Sequence, residues 1–278
     1  MTEPVSWRGR WRRLALGLPT ILGLAPRGWF IPHRYARVLP PAGAQPPYPA
    51  IEALFRDRQA AFLSILDLVD AEATELTSMQ ALFDQSWFPG LDAAVAYALV
   101  RARKPRRIVE VGSGHSTRVL ARALAGSGEL WAIDPAPRAD IAGLAGVRIV
   151  PSTLQTAPDA PFDALVAGDV LFIDSSHVLM PGSDVDLLIN RVLPRLPAGV
   201  LVHIHDIFLP FDYPAIWGWR NYNEQQGVAP LLAAGAYAPL FSSVWAERAL
   251  ADRLRRSLVA RLPHRLEAMS TSLWLEKR

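Results

Sequence analysis

The chain has 278 residues, 51% of them hydrophobic and 20% charged, with no cysteine and a formal net charge of +3. This composition suits a large buried core in one or two domains and argues against disorder. The lack of cysteine excludes disulfides and thiolate metal sites and fits a reducing cytosol. The excess charge is arginine and is unevenly placed. Seven arginines stand between Arg8 and Arg37 after a single acid, Glu3, and six more cluster between Arg248 and Arg265. Such clusters meet nucleic acid, anionic lipid or simply solvent.

In chain order, LALGLPTILGLA (14–25) is apolar but shorter than the ~20 residues a membrane-spanning helix needs, and Pro19 and two glycines interrupt it. WRRLAL resembles an export signal, yet Ala25 is followed by Pro26 and no small-residue cleavage site appears. The segment predicts an N-terminal helix packing on the domain, with peripheral membrane contact as the alternative. PPAGAQPPYP (40–49) reads as an extended linker. The apolar spacing of IEALFRDRQAAFLSILDLV predicts helix from residue 51. Pro89-Gly90 breaks the pattern, and LDAAVAYALVRARK (91–104) predicts a further helix stopped by Pro105.

From residue 107 the texture changes. RIVEV (107–111), LWAID (130–134), VRIVP (147–151), VLFID (170–174) and GVLVHIHD (199–206) are short and almost wholly apolar. Strands buried on both faces of a parallel sheet look like this. Helices are predicted between them at 117–126, weakly around 137–145, and at 184–196, with a closing strand at 271–278. The expected architecture is α/β: a Rossmann-like, doubly wound core over 105–278 behind a basic, proline-rich and helical extension over 1–104.

The chemistry is announced by RIVEVGSGHSTRVL, a strand, a glycine turn and a helix. A phosphate-binding P-loop needs a lysine after its last glycine, and none is present. A dinucleotide turn wants a third glycine where Thr117 stands. Glu110, at the strand tip, would repel a pyrophosphate. It suits S-adenosylmethionine, whose ammonium it can balance while the helix N-terminus takes the carboxylate. Asp134, ending the next strand, is placed to accept ribose hydroxyls. An NAD-dependent oxidoreductase is the competing reading.

EVGSGHST, AIDP, FIDSSH and HIHDIF together resemble the class I S-adenosylmethionine-dependent methyltransferases, most closely a bacterial group with a helical segment before the core. The resemblance covers roughly residues 85–278. It implies a seven-stranded, mostly parallel sheet. It also implies cofactor contacts from Glu110, Gly112, Ser113, Gly114, Ser116, Thr117, Asp134 and Asp174, with adenine near Ser152 to Gln155. Many members carry a glycine where Ser116 stands.

Open parallel sheets bind ligands at the carboxyl ends of their strands. Here two strands end in polar sets, Asp174 with His177, and His203, His205 and Asp206. Methyl transfer to a hydroxyl needs an aligned acceptor and a base for its proton. His177, His205 and Asp174 are the catalytic candidates, His177 being the base that resemblance to sugar O-methyltransferases implies. The same resemblance gives Asp174, His205 and Asp206 as ligands for magnesium, with carboxylates the hard donors such an ion takes. His203 is expected to be a core histidine. Trp217, Trp219 and Tyr222, with Asn223, Glu224 and Gln225, form a loop suited to closing over substrate. The expected activity is O-methylation of a small molecule or glycan in the cytoplasm or at the inner membrane surface. A non-catalytic S-adenosylmethionine-binding protein is a further alternative. No nucleic-acid partner is expected, since no recognition module accompanies the basic clusters.

Overall fold

The computed structural model describes residues 7–137 and 139–278. Glu3, with the rest of residues 1–6, Arg138 and the side chain of Arg8 lie outside the described residues. The chain divides into two compact units, residues 1–48 with 211–222, and residues 49–210 with 223–278.

The first unit contains α1 (Trp7–Ile21) and the loop 211–222. Arg13 joins them: its guanidinium donates to the carbonyls of Gly218 and Trp219 and to Asn221 Oδ1. Further along, the Gly43 amide donates to Asp212 Oδ2 at 2.8 Å.

The second unit opens with α2 (Pro49–Asp57), α3 (Gln59–Ala71), α4 (Ala73–Ser78) and α5 (Gly90–Arg103). Residues 90–100 of α5 are buried all round, and the helix packs against α3. It starts after Pro89 and ends on Lys104, whose left-handed backbone (φ 49°) turns its N–H back to the Val100 carbonyl before Pro105.

The sheet follows. Its strands are β1 (Arg107–Val111), β2 (Glu129–Ile133), β3 (Val147–Val150), β4 (Val170–Ile173), β5 (Leu201–Ile204), β6 (Tyr237–Ser242) and β7 (Leu273–Lys277). They lie in the order β3-β2-β1-β4-β5-β7-β6. The first five pair in parallel, and β7 runs antiparallel to both its neighbours. Connecting helices are α6 (His115–Leu124), α7 (Ala160–Asp163), α8 (Asp184–Leu187), α9 (Glu224–Ala233), α10 (Ser243–Ala249) and α11 (Ala251–Arg256). Every residue of β4 and β5 is buried, as the apolar runs require.

This is the α/β sheet the sequence predicts, with two differences. No helix forms around 137–145 among the described residues; they run in bends and turns. Pro135 and Pro137 stand at its start, and Gly143 and Gly146, within it and just after it, adopt φ of 78° and 77°, a combination that defeats helix propagation. The strand β6, YAPLFS, was not predicted because Pro239 and the short run hide its pattern. It is an edge strand, and the register shifts between Pro239 and Phe241, where a proline is tolerated.

Candidate active site

The glycine turn sits between β1 and α6, as the sequence requires. Gly112 has φ 78°, and a Cβ there would stand 2.1 Å from the Asp174 carbonyl oxygen. Only glycine allows the turn to press against the end of β4. The contact is fixed from both sides, by the Asp174 amide to the Val111 carbonyl at 2.8 Å and the Gly112 amide to the Ile133 carbonyl at 3.0 Å.

Glu110 is fully buried beneath this turn. Ser116 donates to its Oε1 at 2.6 Å and Thr117 to its Oε2 at 2.7 Å. The Thr117 hydroxyl in turn accepts the Gly114 amide at 2.9 Å. Thr117, which departs from the dinucleotide pattern, is thus a strut between the acid and the turn. Burial pushes the Glu110 carboxyl up to about 8, against the pull of these hydrogen bonds and with help from Asp174 and Asp134.

Asp134 closes the other side. Its Oδ2 accepts the Ser113 amide at 2.7 Å and the Ser113 hydroxyl at 3.0 Å, and its Oδ1 accepts the Ala136 amide at 2.7 Å. It caps a turn rather than a helix. After β3, residues 154–156 form a short 3-10 turn, and Gln155 donates to the Gly182 carbonyl at 3.1 Å.

Three acidic side chains, Glu110, Asp134 and Asp174, therefore stand around the turn between β1 and α6, with Asp174 and Asp134 helping to hold the proton on Glu110. Among the described residues no lysine or arginine pairs with Glu110 or Asp134. This chemistry fits a ligand that is cationic beside its own carboxylate, as S-adenosylmethionine is, and opposes a pyrophosphate.

At the next two strand ends the structure brings Asp174, His177, His205 and Asp206 together. His177 is buried, and both ring nitrogens face acids. Nδ1 lies 2.9 Å from Glu224 Oε2, while Nε2 lies 3.3 Å from Asp174 Oδ1 and 3.4 Å from Asp206 Oδ2. Burial by itself would lower its pKa, but Asp206, Asp174 and Glu224 hold it well above 6.5. His177 and Asp206 both adopt left-handed backbone, with φ of 60° and 56°. Strain of this kind in non-glycine residues gathers at functional sites.

Glu224 escaped the sequence reading as a site residue. It lies in the first turn of α9 and is buried, and Ser175 Oγ is 3.1 Å from both of its carboxylate oxygens. The α9 N-terminus is clamped to the histidine's own loop: the amides of Asn223 and Glu224 donate to the His177 carbonyl at 3.0 and 3.3 Å. Asn223 Oδ1 accepts the Leu179 amide at 2.6 Å. A carboxylate fitting an N-terminal helical turn was the available sequence signal, though nothing in the sequence pointed it at His177.

His205 stands differently. Its Nε2 lies 3.0 Å from the Trp87 carbonyl, an acceptor only, so this nitrogen carries the proton. Burial lowers its pKa, and Asp206, Asp174 and Asp92 outweigh that and raise it. His203 is a core residue: its ring stacks on Phe172 at 3.7 Å, Nε2 meets Ser272 Oγ at 2.8 Å, and burial holds its pKa well below 6.5.

The donors predicted for magnesium do not fit a metal. His177 Nε2 occupies the position between Asp174 and Asp206, and the His205 Nε2 that comes within 3.7 Å of Asp206 Oδ1 is protonated, since it donates to the Trp87 carbonyl. Among the described residues no group of three or more His, Asp or Glu is arranged to hold a metal ion.

In the first unit, Trp217 packs edge-on to Tyr222 at 5.8 Å and parallel to Tyr213 at 6.5 Å. The Arg220 guanidinium lies 4.6 Å from the Trp217 ring and 5.3 Å from the Trp219 ring. These aromatics form a cluster of their own around a cation.

A mostly parallel sheet with an antiparallel β7 inserted between β5 and β6, and an acid-floored glycine turn after β1, is the arrangement that the sequence's resemblance to the class I S-adenosylmethionine-dependent methyltransferases implies. Residues 109–207 match the family model described as a methyltransferase domain. That match favours the S-adenosylmethionine reading of the turn over the dinucleotide-dependent one. No curated protein matches the chain. Among solved structures, a methyltransferase from Geobacter sulfurreducens is 15% identical, with a TM-score of 0.41 over 76% of this chain and 90% of that one. The cofactor-bound Rv0187 protein from MTB is 17% identical, with a TM-score of 0.38 over 70% and 90%. No helix among the described residues is long and apolar enough to cross a membrane.

Proposed function

We propose that this enzyme methylates a hydroxyl of a small molecule or sugar, with His177 taking the hydroxyl proton. One observation carries the reading: the imidazole is held at Nδ1 by a buried carboxylate while Nε2 is shared between two others. Charge-assisted hydrogen bonds run at about 2.7–2.9 Å. The Glu224 contact is of this kind, and the two on Nε2 are longer. Nε2, with the longer contacts, is the nitrogen an acceptor hydroxyl would engage in exchange for an aspartate, whereas Nδ1 is held by Glu224.

The cofactor, held by Glu110, the turn 112–117 and Asp134, supplies a methyl group already activated on a sulfonium. The chain's own residues then have two tasks. Glu224 and Ser175 fix the ring's plane and tautomer. The aspartates orient the acceptor, and Asp174, the most exposed of the three acids around His177, passes the released proton outward. A nitrogen acceptor would need less of this apparatus, since an amine is nucleophilic without a base.

The test is methyl transfer from isotopically labelled S-adenosylmethionine to a panel of sugars, phenols and amines, read by mass spectrometry. A methyl group on oxygen that disappears in His177→Asn supports the reading. Methylation only of nitrogen, or O-methylation untouched by His177→Asn, overturns it.

A further inference from the structure

Helix α1 turns an apolar stripe to solvent. Trp7, Trp11, Leu14, Leu18 and Ile21 recur every three or four residues, so they share one face. Each is 50–68% exposed. The other side of the helix carries Gly9, which is buried, and Arg13, which binds the 218–221 backbone and side chain described above. The helix is thus held along one edge and open along the other. The apolar surface also continues past the helix, through exposed Leu22, Leu24, Trp29, Phe30 and Ile31. A soluble surface seldom leaves so much contiguous apolar area bare without a use for it.

The charge pattern says what covers it. Residues 7–48 contain seven arginines and no aspartate or glutamate. Arg10 is exposed beside the stripe, while Arg12 is exposed on another side of the helix with its guanidinium 5.4 Å from the Trp219 ring. A polyanion such as nucleic acid would satisfy the arginines and leave the tryptophans, leucines and isoleucine bare. A second copy docked through the same face would set one arginine cluster against the other. An anionic bilayer satisfies both, with phosphates for the guanidiniums and an acyl boundary for the stripe. At 15 residues the helix is roughly 22 Å long, short of the ~30 Å hydrocarbon core. It is built to lie in the interface, where tryptophan also prefers to sit.

We propose that α1 and the exposed segment up to Ile31 dock this enzyme on an anionic membrane surface. The inference stands independently of the acceptor's identity.

The experiment is flotation of the full chain with vesicles of phosphatidylcholine, alone or mixed with phosphatidylglycerol. Binding is expected to the anionic vesicles, weakening as salt rises. It should fall about tenfold or more in Trp11→Glu/Leu14→Glu, with S-adenosylmethionine affinity unchanged as the check on folding. Without any variant, acyl-brominated lipid is expected to quench the wild-type tryptophan fluorescence. Four results overturn the proposal: no flotation with either vesicle, equal binding to neutral ones, anionic binding indifferent to the double substitution, or a dimer that the substitution dissociates.

Discussion

His177 Nδ1 lies 2.9 Å from Glu224 Oε2, although 47 residues separate them in the chain. The contact spans from the end of β4 to the start of α9 and is buried at both ends. Such a pair fixes which imidazole nitrogen faces the chemistry. Glu224→Gln keeps the shape and removes the charge. It is expected to lower kcat about 10- to 100-fold with little change in S-adenosylmethionine affinity. His177→Asn is expected to lose about 10²–10⁴-fold. Steady-state kinetics with isothermal titration separates the two quantities. Loss of cofactor affinity in step with kcat would show a structural role instead.

The same cage sets the pH dependence. His177 is held well above 6.5 by Asp206, Asp174 and Glu224, so near neutrality it is an imidazolium. A base must first lose that proton, so kcat/KM is expected to rise with pH through a midpoint above 6.5. Glu224→Gln removes part of what favours the cation and should move this midpoint to lower pH while lowering the plateau. For stability the sign is opposite. A raised histidine contributes fully below its unfolded value and loses that contribution as pH climbs through the folded one. A rate flat from acid to alkaline pH would exclude His177 as the base.

Much of this was legible in the sequence, and the failures have physical causes. The five parallel strands announced themselves because burial on both faces demands unbroken apolar runs. The turn did so because Glu110, Gly112 and Thr117 stand within eight residues of one another. Asp174, His177, His205 and Asp206 were identifiable because they end adjacent strands. What sequence could not supply was orientation. The spacing of His205 and Asp206 is compatible with a metal, and only the Trp87 carbonyl at 3.0 Å shows that Nε2, 3.7 Å from Asp206 Oδ1, carries a proton and is no ligand. Glu224 stands in a polar stretch with nothing local to distinguish it, since its partner comes from a distant strand. β6 was hidden by its proline.

Gly112 packs the glycine turn against the end of β4. With φ at 78° and the Asp174 carbonyl 2.1 Å from any added Cβ, Gly112→Ala must displace one chain segment from the other. A strained backbone of this kind costs about 1–3 kcal/mol, and relieving the clash moves Asp174. The variant is expected to melt earlier and to lose both cofactor binding and turnover. Gly126→Ala is the control. It shares a positive φ of 79° but meets nothing within 4 Å, so it should lose stability alone. Equal cofactor affinity in the two variants would refute the link.

Because His177 fills the space between Asp174 and Asp206, activity is expected to be independent of magnesium. Turnover measured after exhaustive EDTA treatment, and again with magnesium restored, should agree within about twofold. A reversible loss would mean that the histidine moves out on metal binding, and the site would then have to be redrawn around the two aspartates.

Glu110 makes the last prediction, on stability rather than rate. Its carboxyl, ordinarily at 4.5, is pushed to about 8 by burial. The folded state therefore holds a proton that the unfolded chain gives up above 4.5. The resulting stability is complete below 4.5 and drains away as pH rises toward 8. Each pKa unit is worth about 1.4 kcal/mol, so the loss is of order a few kcal/mol. Glu110→Gln mimics the protonated acid and should flatten that slope, as compared by urea unfolding near pH ~5 and ~9. Saturating S-adenosylmethionine should flatten it in the wild type too, because a cation beside the turn favours the ionised carboxylate. If the substitution flattens the slope and the cofactor does not, Glu110 braces the turn through Ser116 and Thr117 without meeting the ammonium.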